Sequence, residues 1–182
     1  ISFGSRDEHE RLLTMVLEAL NRADARIQPG KCEFFRSRAD FLGHNLSATG
    51  ISQQDSKIAA INNWPPLTDL KSVRSFVSLC SYYRKFIKDF AKIAQPLTDL
   101  MKSDGWRTPD FPEALQAVAN LKQAITTAPV LAYFDVKAKT DLYVDASGLS
   151  IGGVLQQDDE NGDSRPVGFY SRRLQGAEVQ YS

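Results

Sequence analysis

Val73-Arg74-Ser75-Phe76-Val77-Ser78-Leu79-Cys80-Ser81-Tyr82-Tyr83-Arg84-Lys85-Phe86-Ile87 is the stretch that decides the architecture. Leu70, Val73, Phe76, Val77 and Cys80 return at intervals of three and four, so they line one face of a helix that Thr68 can cap. The apolar rhythm runs on through Tyr83, Phe86, Ile87, Phe90 and Ile93. That is long for one helix, and a break is expected near Ser81. Cations follow a similar spacing: Lys71 and Arg74 first, then Arg84, Lys85, Lys88 and Lys92, with Tyr82 and Tyr83 among them.

Upstream, Ser5-Arg6-Asp7-Glu8 has the form of a capping box. Leu12, Leu13, Val16, Leu17 and Leu20 follow at helical spacing, and Gln28-Pro29-Gly30 is expected to stop that helix. Lys31-Cys32-Glu33-Phe34-Phe35 and Phe41-Leu42-Gly43-His44-Asn45-Leu46 read as two β runs of one hairpin with a charged connection. Ser52 is expected to open a second helix through Ile58, Ile61 and Trp64, ended by Pro65-Pro66. Downstream, Pro96 starts a short helix, and a last helix carries Leu115, Val118, Leu121 and Ile125.

After Pro129 the pattern turns from helical to β. Asp141 to Asp145, Gly152 to Leu155 and Pro166 to Tyr170 are three runs separated by polar, turn-forming residues. The fold class expected is α+β: an α-rich unit with one hairpin over 1–128, then a three-stranded antiparallel meander over 129–182.

Composition agrees with a globular chain. Of 182 residues, 42% are hydrophobic and 24% charged, which argues against disorder and fibrous repeats. No apolar run reaches the roughly 20 residues of a membrane span, so no membrane partner is expected. The chain begins at Ile1 without a secretory layout and reads as a piece of something longer. Cys32 and Cys80 match no CxxC spacing and read as reduced thiols, with a lone disulfide left open. The formal net charge is zero, yet residues 57–102 hold 8 basic and 3 acidic groups. That segment is the first candidate for contact with a polyanion.

Cations that pair with phosphate, interleaved with rings that stack on bases or sugars, suit a nucleic-acid groove. On spacing alone, a solvated helix face is the stronger reading of Lys71, Arg74, Arg84, Lys85 and Lys88. Asp145 closes an apolar strand before the sharp turn Ala146-Ser147-Gly148, a position that suits Mg²⁺ ligation. One carboxylate does not make a metal site, and a strand-terminal Asp is more often a turn former. His9 and His44 have no partner at metal or triad spacing.

The string as a whole resembles the reverse transcriptase/RNase H region of gypsy-type long-terminal-repeat retrotransposon Pol polyproteins. The matching motifs are collinear: Lys31-Cys32-Glu33-Phe34, Phe41-Leu42-Gly43-His44 and Gly50-Ile51-Ser52 come first. Val73-Arg74-Ser75-Phe76, Tyr82-Tyr83-Arg84-Lys85-Phe86-Ile87 and Ile93-Ala94-Gln95-Pro96-Leu97 follow. Ala128-Pro129-Val130-Leu131, Asp145-Ala146-Ser147, Gly152-Gly153-Val154-Leu155 and Tyr170-Ser171-Arg172 complete the series.

The resemblance implies a map. Residues 1–56 would end the polymerase palm, with Phe41, Leu42, Gly43 and His44 in a primer-grip-like hairpin. Residues 57–102 would be a helical thumb, 103–135 a connecting segment, and 136–182 the opening strands of a truncated RNase H-like domain. Lys71, Arg74, Tyr82, Tyr83, Arg84, Lys85 and Lys88 would then face a template–primer duplex or RNA/DNA hybrid. Asp145 would be the first metal-binding carboxylate of the RNase H site, whose complete form uses Mg²⁺. The polymerase Asp pair and the other RNase H carboxylates are absent, so the chain alone is expected to be inactive. The strands, lacking a covering helix, are expected to be unstable alone or docked on the remainder of the polyprotein. The implied location is intracellular, in a cytoplasmic virus-like particle with a nuclear stage. A domesticated or decayed binding remnant and a purely structural fragment are the alternatives.

Overall fold

The computed structural model describes residues 5–102 and 112–180. Helix α1 (Arg6–Arg22) starts where Ser5 accepts a bond from the Glu8 amide at 3.2 Å. It ends well before Pro29. Asp24 takes a left-handed φ of 51°, letting the Ala25 amide reach the Leu20 carbonyl and the Asp24 amide reach that of Asn21. This paired closure satisfies the last carbonyls and terminates the helix without a proline. None of the α1 residues is buried.

The expected hairpin is replaced by a three-stranded antiparallel meander of β1 (Arg38–Phe41), β2 (His44–Ser47) and β3 (Gly50–Gln53). Residues 31–35 form no strand, because Phe35 adopts a φ of 57° and no neighbouring strand pairs with them. The charged connection instead supplies β1, and Ser52 lies in β3 rather than opening a helix. Helix α2 (Asp55–Asn62) ends before Trp64, its final carbonyl and that of Trp64 held by Lys122 Nζ at 3.0 and 3.1 Å.

Helix α3 (Leu70–Tyr82) is capped by Asp69 rather than Thr68. Asp69 accepts from the Ser72 amide at 2.6 Å while Ser72 Oγ accepts from the Asp69 amide at 3.1 Å. The break falls at Tyr83, close to the expected place, and a 3-10 turn over Arg84–Phe86 follows. Helices α4 (Phe90–Ile93), α5 (Gln95–Leu100) and α6 (Pro112–Thr126) complete the helical layer. In α6 the small Ala114 and Ala117 turn inward beside Leu121 and Ile125, leaving Leu115 exposed, against expectation. Val73, Phe76, Cys80, Tyr83, Phe86 and Leu97 form the centre of the core with these residues. Both cysteines are free.

The second sheet has the expected order and direction: β4 (Thr140–Ala146), β5 (Ser150–Asp158) and β6 (Ser164–Arg173), all antiparallel. The helices of this chain meet one of its strands, β6. The Ala91 amide donates to Ser171 Oγ at 2.9 Å, Arg84 to the Ser171 carbonyl, and Arg173 pairs with Asp99. Phe169 packs on the helical core. A methyl on Gly152 would stand 2.9 Å from Asp89 Oδ1, so glycine permits the approach. Two further ties fix the sheets: Ile51 and Leu131 exchange backbone bonds of 2.8 Å, and Arg165 donates to the Thr49 carbonyl at 2.6 Å. Strand β4, farthest from the helices, keeps Leu142, Tyr143 and Val144 exposed.

Candidate nucleic-acid interface

Residues 41–44 form a tight turn between β1 and β2, with Phe41 paired to His44. Both central residues have positive φ, 46° at Leu42 and 74° at Gly43. This geometry suits the right-handed twist of the strands. It is natural for Gly43 and costs about 1–2 kcal/mol for Leu42, so something must hold it. Helix α3 does. The Tyr82 hydroxyl donates to the Leu42 carbonyl, and the Tyr83 hydroxyl donates to the Gly43 carbonyl at 2.7 Å. Below the turn, Asp40 accepts from Asn45 at 2.9 Å and Gln54 at 3.1 Å, bracing its base.

His44 sits inside this junction. Its ring stacks on Tyr82 at 5.3 Å, meets Tyr83 edge-on at 5.8 Å and tilts against Phe86 at 5.5 Å. Burial, reinforced by the Lys85 ammonium, holds its imidazole below the ordinary value of 6.5. Burial also pushes the Tyr83 phenol up to about 12, keeping it a donor at any physiological pH. At the tip, Phe41 and Leu42 point outward, Leu42 being 72% exposed.

The structure therefore brings Phe41, Leu42, Gly43, His44, Tyr82 and Tyr83 together. Lys71 and Arg74 join them along α3. Those two, with Ser75, Ser78 and Tyr82, are exposed and fall on the face opposite Val73, Phe76 and Cys80, since 3.6 residues make a turn. Helix α3 contains no acidic residue.

The remaining basic residues diverge. Arg84 bonds the Ser171 carbonyl and lies over the Phe90 ring at 5.7 Å, which makes it a tie between helices and β6. Lys85 packs over the Phe86 ring at 5.2 Å and is partly desolvated, lowering its pKa. Lys88 lines a groove between α4 and α6 with Lys92 and Glu113.

Asp145 is exposed on β4, opposite Gly152. Among the described residues no three His, Cys, Asp or Glu side chains stand close enough to hold a metal ion. The described residues do not by themselves assemble a Mg²⁺ site around Asp145. No helix of the described residues is long and apolar enough to cross a membrane.

Sequence reading missed Asp40 and Gln53. Gln53 is 3% exposed beneath the turn. Its signal would have been Gly50 and the two-residue offset to β2, which a four-residue strand is too short to announce.

Comparison with known proteins places this arrangement. Residues 112–182 match the RNase H-like domain found in reverse transcriptase, a match that begins at α6. The chain is 34% identical over 179 residues to the Tf2-3 and Tf2-4 transposon polyproteins of Schizosaccharomyces pombe, covering 98% of this chain and 13% of each polyprotein. The foamy viral protease–reverse transcriptase solved with an RNA/DNA hybrid superimposes with a TM-score of 0.82 at 22% identity, covering all of this chain and 25% of that one. The foamy viral protein solved with double-stranded DNA superimposes with a TM-score of 0.83 at 21% identity, covering 38% of its chain. Over nearly its whole length the chain resembles the reverse transcriptase/RNase H region of retrotransposon Pol polyproteins, and it shares its fold with the foamy viral structures. It spans about an eighth of the length of these curated relatives.

Proposed function

We propose that residues 1–56 end a polymerase palm, 57–102 act as its thumb, 103–135 connect, and 136–182 open an RNase H domain. In this reading the chain grips template–primer duplex or RNA/DNA hybrid within a larger Pol polyprotein. The observation that carries it is the solvent face of α3, where Lys71, Arg74 and Tyr82 run without an acidic side chain up to the 41–44 turn. The small Ser75 and Ser78 between them let a phosphate backbone approach the helix closely. Two cations on such a face release counterions when phosphates replace them, and the exposed Tyr82 ring adds a stacking surface.

Lys85 and Lys88 flank this face and would add long-range attraction. Arg84 serves the docking of β6 instead. Asp145 would supply one carboxylate to a Mg²⁺ site of the larger polyprotein. The place of action follows the polyprotein, in a cytoplasmic particle.

The test is binding of a short DNA duplex and an RNA/DNA hybrid across a salt series. Each phosphate contact contributes roughly 0.9 to the log–log slope. Lys71→Ala with Arg74→Ala should flatten the slope by about two contacts while leaving the melting temperature in place. An unchanged slope in the double variant would remove α3 as the grip.

A further inference from the structure

Two buried polar atoms of the first sheet make no hydrogen bond: His44 Nδ1 and Gln53 Nε2. They belong to residues directly opposed in the β2–β3 pair. Opposed residues carry their side chains on the same face, with Cβ atoms roughly 4.5–5.5 Å apart. The two atoms therefore look into one small space beneath the 41–44 turn. A carboxamide nitrogen can only donate, whereas an imidazole nitrogen donates or accepts according to its proton. Donor against donor is repulsive and leaves both unsatisfied; donor against lone pair is complementary.

We propose that His44 is a positioning residue that holds the 41–44 turn on the end of α3 while its imidazole is neutral, with the Nδ1 lone pair turned toward the Gln53 carboxamide. A bond formed directly, or through one bridging water, satisfies both atoms. A protonated ring would set N–H against NH₂ and would place a cation beside Lys85, the charge that acts on it from the adjoining turn. The rings packed against it, Tyr82, Tyr83 and Phe86, include no carboxylate to offset that charge. The same two tyrosines carry the bonds to Leu42 and Gly43. Protonation thus acts on the ring stack that positions both phenols.

The sign follows from linkage. Burial and Lys85 lower the folded-state value below 6.5. The docking contribution is complete above about pH 6.5 and is lost as pH falls from there through the depressed folded value. Within that window the opening equilibrium of the turn rises by up to about tenfold per pH unit. The proposal concerns the turn alone and stands independently of any nucleic acid it contacts.

Native-state hydrogen exchange on the whole chain, corrected for intrinsic rates, tests it between about pH 8 and pH 5. Protection over residues 41–46 should fall below pH 6.5 relative to α6. His44→Phe keeps the ring stack and should abolish the pH-dependent part of that loss. Identical pH profiles in the two proteins would overturn the proposal. A second readout needs no variant at His44. In a His9→Asn background, ¹⁵N correlation of the remaining imidazole at about pH 7.5 should show the Nε2–H tautomer with an unprotonated Nδ1. An Nδ1–H tautomer, or a ring already charged, would equally overturn it.

Discussion

The Tyr83 hydroxyl donates to the Gly43 carbonyl at 2.7 Å, joining the end of α3 to the tip of a turn 40 residues earlier in the chain. The same carbonyl accepts the Gln54 amide at 3.1 Å. Gly43 is thereby tied both to its own sheet and to the helical layer. Tyr83→Phe removes one of the two bonds without opening a cavity. It should lower stability by about 1 kcal/mol and raise exchange at residues 41–46. Equal exchange in both proteins would mean that the sheet alone holds the turn.

Ser171 plays the corresponding part for the second sheet. It is 3% exposed, and its hydroxyl accepts from the Ala91 amide. Ser171→Ala removes only the hydroxyl and leaves that amide unpaired, costing roughly 1–3 kcal/mol. The loss should fall on docking: chemical denaturation of the variant should split into two steps as the sheet separates from the helices. A single unbroken transition with unchanged midpoint would show that Phe169, the Arg84 bond to the Ser171 carbonyl and the Arg173–Asp99 pair hold β6 without the Ser171 hydroxyl.

Gly50 is required by geometry. Its φ is +135°, and a methyl there would lie 2.1 Å from the Leu131 carbonyl oxygen. Gly50→Ala should cost on the order of 1–3 kcal/mol from backbone strain alone, and should break the Ile51–Leu131 bridge. Thermal melting measures the first, and exchange of the Leu131 amide the second. Wild-type values for both would contradict the described packing.

Thiol chemistry offers a simple check of the core. Burial drives the Cys80 thiol up to about 12, whereas Cys32 is half-buried near the surface. A thiolate is the reactive species. Iodoacetamide at neutral pH should therefore label Cys32 and spare Cys80 until denaturant is added. Mass spectrometry showing equal labelling in native buffer would mean that α3 is not packed as described.

The C-terminal turn over Gly176–Gln180 responds to acid. Glu178 takes a two-point bond from Arg172, at 2.6 and 2.7 Å, and a third from the Gln175 amide at 3.0 Å. Led by Arg172, these hold its carboxyl down to about 2. The folded value is depressed, so the contribution of the pair is present above about 4.5 and is lost as pH falls toward about 2. A carboxyl-carbon titration should place the Glu178 midpoint near that lower value. A midpoint near 4.5 would mean that the pair does not persist in solution.

Much of this arrangement was legible in the residues. The stripe from Val73 to Cys80 and the break near Ser81 announce α3 because the apolar period is long and uninterrupted. The alternation after Thr140 announces the meander for the same reason. Where reading failed, local signals competed. Pro29 looks like the stop of α1, but Asp24 ends it earlier through a backbone closure that any short polar residue can make. Phe34 and Phe35 have strand propensity but no strand to pair with. Leu115 fits the helical period, yet the close approach of α5 favours Ala114 and Ala117 at the contact. At the site, the gathering of turn and tyrosines was legible only as a family pattern. The diversion of Arg84 to Ser171 was not, since it depends on a strand 87 residues away.

The bond from Arg165 to the Thr49 carbonyl spans 116 residues. Closing a loop of that length in a flexible chain costs roughly 4 kcal/mol of entropy before the contact returns anything. Contacts of such separation slow folding far more than they alter final stability. During synthesis the sheet that carries Thr49 emerges long before Arg165 exists. The early sheet and the helical core must therefore reach a settled form first, and the late strands close over them.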